Sequence, residues 1–476
     1  MNRTFTLLLS LLFLAGTVQA QTRSFKRGVG YNKLSTEEVE ALSPGLSWGY
    51  NWGHSGSGND AAFAQYGVEY VPMAWNGINK TAIRAYLTNH PEVKYILGFN
   101  EPNFKDQSNM SPTTAANRWK DVEEIADEFG LITVGPALNY SPNPPYQDPI
   151  KWYDEFFAAC ADCRVDHIAL HFYMPAASAI KSNVEKFKKY NRPIWLTEFC
   201  AWDDNTTASS QKKMMVETLD YLETDPDIFR YAWFKDKGWS GGHPYMQLVE
   251  EAGNGTLKAL GEVFVNMSSY DDSYYHATGQ RIQAEHYIRM KGINLSKTTD
   301  TDGNINISEF DQIDWAEYNV DVPAAGEYTV TFRIAAEYPD DSEVKLTVND
   351  QIVASMIFEK KGVGVWDTQS CTANLQAGKQ KIRIGFKKGG LALNWWSLAQ
   401  TTGIDSPVAG RLSVYPTLTR DLLHIEGISS ETVKVMDLTG KSLISQVSNG
   451  IIDVSNLTAG VYILQVKGAT GKFIKQ

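Results

Sequence analysis

The chain has 476 residues and a formal net charge of −11, a length that exceeds one ordinary core and calls for roughly two to four domains. Apolar residues make up 43%, with 13 Trp, 23 Tyr and 20 Phe, which describes a folded protein with aromatic surface to spare. The acidic balance excludes a polyanionic partner such as nucleic acid, which needs a clustered basic face, and suits a neutral one.

Residues 1–20 read as a signal peptide. Arg3 supplies the positive start, Leu7 to Leu14 the apolar run, and Val18-Gln19-Ala20 a small-x-small cleavage site. The run is too short to span a bilayer, and no later stretch approaches that length without charges, so the mature protein is expected to be exported. In an oxidising compartment Cys160 and Cys163 are expected to pair, leaving Cys200 and Cys371 as buried free thiols.

From residue 21 to 267, strand-like runs alternate with amphipathic helical ones. The strand candidates are 28–32, 46–52, 69–75, 95–100, 131–136, 167–173, 194–199 and 229–234. Ser35 with Glu38 forms a capping box, and Ser111-Pro112 opens a long helix that Gly130 ends. Eight strands with intervening helices in roughly 245 residues predict a (β/α)8 barrel, whose chemistry sits at the C-terminal ends of its strands.

Two glutamates occupy such ends. Glu101 in LGFNEPN follows the fourth candidate strand and Glu198 in WLTEFC ends the seventh, 97 residues later. Two carboxylates on different strand ends are what cleavage of a glycosidic bond requires: one protonates the leaving oxygen and the other attacks carbon or activates water. The other reading is two unrelated surface glutamates, but Asn100 before Glu101 and Pro102 after it end an apolar strand where a surface glutamate gains nothing. Other strand ends supply Trp48, Trp52, Trp75, Asn76, His171, Tyr173 and Trp233, and aromatic faces of this kind stack on pyranose rings. In His171-Phe172-Tyr173 the first and third residues share a side and can both reach the barrel mouth.

The strings WGYNWG (48–53), VPMAWNG (71–77), LGFNEPN (97–103), CADCRVDHIALHFY (160–173) and WLTEF (195–199) resemble glycoside hydrolase family 128, within clan A of the retaining glycosidases. That resemblance implies cleavage of β-1,3-glucan without a cofactor. It makes Glu101 the acid/base, Glu198 the nucleophile, Asn100 the partner of the sugar 2-hydroxyl, and His171 and Tyr173 supports near the nucleophile. A barrel that has lost activity and only binds glycan, or a hydrolase of xylan or β-1,4-glucan, are the alternatives.

Residues 268–279 are polar and aperiodic and read as a linker. Residues 280–400 alternate like strands, with turns at Ala325-Gly326, Asn349-Asp350 and Ala377-Gly378, and predict a β-sandwich. The strings IQAEHY, DWAEYNVDVPAAGEYTVTFRIA, GVGVWDT and LALNWWSL resemble a family 6 carbohydrate-binding module. By that resemblance Trp366 belongs to a loop-end glycan site, although Ala392 stands where such modules often place an asparagine. Gln283, Glu285 and Asn394 fall where such modules hold a structural calcium. The stretch 298–309 imitates a calcium-binding EF-hand loop, but Thr298 stands at its first position and NINISEF alternates like a strand, so a turn between strands is expected.

After a second linker, 401–407, residues 408–476 carry short strands at 412–416, 422–425, 433–437 and 461–466 and predict a small β-sandwich without a catalytic cluster. VYPTLTRDLLHI, VKVMDLTGKSL and LTAGVYILQVKGATGKFIKQ resemble the C-terminal sorting domain of type IX secretion in Bacteroidota. This implies a secretion machinery as partner and a secreted or cell-surface location.

Overall fold

The computed structural model describes residues 22–238, 244–308, 313–336, 342–386, 390–401, 412, 414–425, 428, 430–467 and 469–476. The signal segment 1–20 lies outside them, as does all of the 401–407 linker except Thr401. Residues up to Thr401 form one compact unit and those from Thr402 a second.

All eight expected barrel strands are present: β1 (Arg27–Gly30), β2 (Trp48–Tyr50), β3 (Glu69–Tyr70), β4 (Tyr95–Leu97), β5 (Ile132–Leu138), β6 (His167–Phe172), β7 (Ile194–Phe199) and β8 (Ile228–Phe234). They form one parallel sheet in the order 3-2-1-8-7-6-5-4, and a parallel bridge between Met73 and Leu97 joins its two ends. Such strands are covered on both faces, which is why they read as near-continuous apolar runs. The connecting helices start where the local chemistry says they should. In α1 (Thr36–Leu42) Ser35 and Glu38 exchange both capping-box bonds, satisfying backbone N–H groups that have no intrahelical acceptor. In α4 (Pro112–Phe129) Ser111 accepts from Thr114 N, and Gly130 ends the helix at φ 68°, a left-handed conformation that glycine enters without steric cost.

Side chains on the two faces of the sheet go to different layers. Trp48, Val71, Leu97, Val134, Ala169, Trp195 and Ala232 meet inside the barrel, while Phe172, Phe199 and Trp233 pack outward with the helices. Cys160 and Cys163 are disulfide-bonded. Cys200 is buried, but Cys371 is only half-buried, because it sits on an exposed strand face. Among the described residues no helix is long and apolar enough to cross a membrane.

The following module is β-rich. One sheet runs β12-β13-β20-β15-β18, with β10 beside β20. The other runs β11-β14-β19-β16-β17, with β9 beside β14. These strands are β9 (His276–Ala277), β10 (Arg281–Gln283), β11 (Arg289–Lys291), β12 (Asn294–Lys297), β13 (Ile305–Ser308), β14 (Trp315–Val322), β15 (Gly326–Ala336), β16 (Glu343–Val348), β17 (Gln351–Ile357), β18 (Trp366–Leu375), β19 (Gly378–Phe386) and β20 (Leu391–Gln400). The rings of Tyr318 and Trp396 meet between the sheets at 5.1 Å. The EF-hand imitation is a hairpin turn between β12 and β13, with Asp300 paired to Arg333 at 2.7 Å.

The segment 268–279 differs from the linker expected. Ser268 and Tyr270 are buried, the buried Arg27 guanidinium donates to Ser268 O at 2.6 Å, and β9 adds a strand to the module. Helix α7 (Ala208–Thr224) and α8 (Ala259–Asn266) meet the module through Lys212–Ser296 at 2.7 Å, Glu262–Lys297 at 2.7 Å and Asn266–Asn304 at 2.9 Å. A polar sequence hid this because the anchors are one tyrosine and backbone carbonyls.

In the second unit a three-stranded sheet, β21-β23-β26, and a five-stranded one, β22-β28-β27-β24-β25, enclose Leu423, Val433, Val435, Leu464 and Phe473. The ranges are β21 (Val414–Tyr415), β22 (Leu418–Thr419), β23 (Leu422–Ile425), β24 (Glu431–Met436), β25 (Ser442–Ser448), β26 (Ile451–Asp453), β27 (Gly460–Val466) and β28 (Ala469–Lys475).

Candidate active site

Beyond β4 the chain runs through Gly98 and Phe99 to Asn100, which bridges to Ala137 near the end of β5. Gly98 is required by packing: a Cβ there would lie 2.6 Å from the Trp119 ring and 2.9 Å from Val134 O. Glu101 then takes φ 42°, a left-handed backbone that costs a non-glycine residue on the order of 1–3 kcal/mol and persists only where neighbours fix it. Here Glu101 N donates to Ala137 O at 2.9 Å, and its carbonyl accepts from Phe104 N at 2.9 Å. Glu198 arrives from β7. A register shift between Leu170 and His171 in the β6–β7 ladder sets His171 opposite Glu198, as irregularities beside active sites commonly re-aim a side chain.

The two carboxylates are 7% and 4% exposed and are joined by one nitrogen. His171 Nδ1 lies 2.9 Å from Glu101 Oε1 and 3.3 Å from Glu198 Oε2. One oxygen from each carboxylate and one ring nitrogen of His171 all lie within 4.8 Å of one another. Glu198 Oε1 accepts from Trp52 Nε1 at 2.7 Å and Tyr50 Oη at 3.1 Å, and Oε2 from Tyr173 Oη. Glu101 Oε1 also accepts from Asn139 Nδ2 at 3.2 Å. The same trio of side chains lies close enough to hold a metal ion; an ionised carboxylate only accepts, which assigns Nδ1 as the donor between the two.

Burial alone would lower the His171 pKa, but the carboxylates of Glu198 and Glu101 outweigh it and hold it above the ordinary value. Glu198 is raised, first by burial and further by Glu101, with the His171 charge and the Tyr173 and Trp52 bonds pulling the other way. Burial and the adjacent Glu198 push Tyr50 and Tyr173 up, so both stay protonated donors.

A cleft of about 670 Å³ opens above this centre, lined by Asn32, Trp52, Trp75, Asn100, Glu101, Phe104, Gln107, Asn139, Tyr173, Glu198, Trp202, Phe234, Lys235 and Gly238. Trp52 and Trp75 also border an adjoining recess of about 470 Å³ that includes Asn76. Of the residues singled out from sequence, Asn100, Glu101, Trp52, Trp75, Tyr173 and Glu198 therefore share the cleft, with His171 beneath. Trp48 and Trp233 do not. Trp48 lies on the barrel floor, with Nε1 donating to Lys26 O at 2.9 Å and its ring 5.0 Å from Trp195. Trp233 points outward and donates to Met246 O at 2.7 Å, because on β8 it is Ala232 that faces inward. Trp202, Phe234 and Asn139 were not singled out. Asn139 had a signal, a polar residue directly after the fifth strand, whereas Trp202 lies in a loop with no pattern.

In the module, Trp366 is half-buried with Nε1 donating to Thr299 Oγ1 at 3.0 Å. Gln283 Oε1, Glu285 Oε2 and Asn394 Oδ1 are buried oxygens without a hydrogen-bond partner. They sit on adjoining backbone, since Gln283 pairs with Trp395 and Ala284 N donates to Asn394 O at 3.0 Å. Such hard oxygens fit calcium.

A buried carboxylate pair at the C-terminal mouth of an eight-stranded parallel sheet, beneath an aromatic cleft, is the arrangement that cleavage of a glycosidic bond requires. Residues 28–264 match the family described as Glycosyl hydrolase catalytic core, 283–400 the Carbohydrate binding module (family 6), and 413–476 the Secretion system C-terminal sorting domain. Among solved structures, the chain is 35% identical to a GH128 (subgroup II) endo-beta-1,3-glucanase from Pseudomonas viridiflava, covering 51% of this chain and 98% of that one with a TM-score of 0.48. It is 38% identical to the corresponding enzyme from Sorangium cellulosum, covering 50% and 97% with a TM-score of 0.47. A curated relative, Alkali-sensitive linkage protein 1 of Schizosaccharomyces pombe, is 29% identical over 231 residues, 47% of this chain and 41% of that protein, so the chain matches less than half of its length. The identity to the two bacterial enzymes runs over nearly their whole length, and the chain belongs to their family, GH128: it is a glycoside hydrolase. Its type IX sorting tail supports secretion or cell-surface placement.

Proposed function

We propose that this chain is a secreted, retaining endo-β-1,3-glucanase with Glu101 as acid/base and Glu198 as nucleophile. The observation that carries the reading is the carboxylate pair held on one histidine nitrogen, Glu101 Oε1 at 2.9 Å and Glu198 Oε2 at 3.3 Å, with one oxygen of each carboxylate within 4.8 Å of the other, too close to admit a water between them. Retaining pairs stand about 5–5.5 Å apart and inverting pairs about 6.5–9.5 Å, the wider gap admitting water. Glu198, oriented by Tyr50, Trp52 and Tyr173, attacks C1 while Glu101 protonates the departing oxygen. Glu101 then takes a proton from the water that releases the sugar. The proposed reaction needs no cofactor. Asn100 Oδ1, buried and unpaired, suits the sugar 2-hydroxyl as an acceptor. The cleft's continuation past Trp52 and Trp75, and the endo-β-1,3-glucanase descriptions of the bacterial relatives, support a glucan chain running through it. The signal-peptide pattern of residues 1–20 in the sequence supports export.

Products from laminarin, curdlan, xylan and carboxymethylcellulose, with proton NMR of the first product, test this reading. Release of β-anomer from the two β-1,3-glucans is expected. An initial α-anomer would sink the mechanism, and preference for xylan or carboxymethylcellulose would sink the substrate. A second expectation concerns pH. Glu198 must be ionised to attack and its pKa is raised, so the acid limb of kcat/KM should lie above the ordinary glutamate value of about 4.3. A limb at or below that value would contradict the burial argument.

We further propose that Gln283, Glu285 and Asn394 bind calcium and that Trp366 belongs to a glycan site of the module. Without a cation, burial pushes Glu285 up to about 8. Its contribution to stability is then complete below the unfolded value of about 4.3 and is lost as pH rises through about 8. Calcium binds the ionised form, so it should raise Tm more at pH 8 than at pH 5, and a chelator should reverse the gain. Equal melting with calcium and with chelator at pH 8 would refute the site.

A further inference from the structure

We propose that Asn139 is the positioning residue of the acid/base, fixing the carboxyl of Glu101 so that the acid's proton resides on Oε2. The inference rests on the reading of Glu101 as acid/base. Asn139 follows β5, lines the cleft, and donates from Nδ2 to Glu101 Oε1 at 3.2 Å. Its amide orientation is set by its own backbone neighbour: Oδ1 accepts from Tyr140 N at 2.8 Å, which leaves the NH₂ to face Glu101. The Asn139 carbonyl accepts from Asn103 Nδ2 at 2.6 Å, and Ser141 Oγ donates to Asn103 O at 2.9 Å. The loop after β5 is thereby tied to the loop that carries Glu101.

Oε1 of Glu101 thus faces two N–H donors, from Asn139 and from His171 at 2.9 Å. A proton placed on that oxygen would point into one of them, so the acid form carries it on Oε2. In the first step this proton passes from Oε2 to the glycosidic oxygen as the C1–O bond breaks and the Glu198 oxygen bonds to C1. Oε1 keeps both donors throughout, and they stabilise the carboxylate that forms. His171 divides itself between both carboxylates, with Glu198 Oε2 at 3.3 Å, whereas Asn139 serves Glu101.

The test compares Asn139→Asp, Asn139→Ala and Glu101→Gln on laminarin and on an aryl β-glucoside oligomer with a good leaving group. Asp keeps the size and the acceptor for Tyr140 N but sets a carboxylate oxygen against Oε1. It should lower kcat on laminarin roughly 10²-fold, at the low end of general-acid effects, with KM nearly unchanged and much less loss on the activated substrate. The basic limb of kcat/KM should move to higher pH, because a neighbouring anion favours the protonated acid. Ala should show the same leaving-group pattern with a smaller loss, and it decides the matter if the Asp variant does not fold. Equal losses on both substrates would reduce Asn139 to a structural role and overturn the proposal. If Glu101→Gln itself showed no leaving-group dependence, the acid/base reading would fall, and this inference with it.

Discussion

Glu198→Gln should bring hydrolysis of laminarin below detection while leaving affinity for laminari-oligosaccharides within a few-fold of wild type. The amide has the carboxylate's shape but cannot form the glycosyl ester, so the loss falls on the chemical step and not on binding. Its environment gives the variant a specific signature. Both Glu198 oxygens accept from protein donors, Trp52 and Tyr50 on one and Tyr173 on the other. Glutamine offers one acceptor and one NH₂, so one side must face donor to donor, at about 1–3 kcal/mol for an unsatisfied buried group. Removing a buried charge acts in the opposite direction, so Tm should change little. Glu101→Gln should lose roughly 10²–10⁴-fold on laminarin and less on substrates whose leaving group needs no proton. Turnover by Glu198→Gln at more than a trace level, with folding verified by Tm, would remove Glu198 from its role.

Much of this site was legible because barrel chemistry sits where apolar strands stop. Glu101, Glu198 and Asn100 announce themselves as polar residues that end buried runs, and His171 and Tyr173 as an alternating pair. The failures have a common cause: a tryptophan at a strand end can face three ways. Trp48 is the first residue of β2 and belongs to the floor, although the same short string carries Trp52 to the mouth. Trp233 is displaced outward by its neighbour Ala232. Face assignment depends on register, and in this barrel the β6–β7 and β7–β8 ladders both shift by irregularities that periodicity does not reveal. The strands β25 and β28 escaped for a different reason. Ser442–Ser448 buries only one residue and Ala469–Lys475 only two, so neither shows an apolar face.

The packed segment 268–279 adds a stability cost to cutting the chain after Met267. Polar composition suggests that a chain ending at Met267 would keep an intact barrel. In the structure that cut removes Ser268 O from the buried guanidinium of Arg27, which sits 1% exposed among Tyr231, Glu223 and the end of α8. It also removes the buried Tyr270 and every contact of α7 and α8 with β12 and its turn, among them Lys212–Ser296 at 2.7 Å and Glu262–Lys297 at 2.7 Å. A hydrogen bond to a charged group is worth about 1.5–3 kcal/mol, and a barrel of this size loses about 2–4 °C of Tm per kcal/mol. The chain ending at Met267 should therefore melt roughly 5–15 °C below the mature protein, with kcat on soluble oligosaccharides retained below that transition because the cleft residues all precede the cut. A chain ending at Thr401 crosses between the two compact units and should keep the barrel's transition unchanged. Calorimetry on the three chains decides it. If the chain ending at Met267 melted with the full-length protein, the contacts of 268–279 would contribute nothing to the barrel and the module would be an independent attachment. If it melted lower as expected, any loss of activity on insoluble glucan would have to be measured well below that transition before being credited to the module as an anchor.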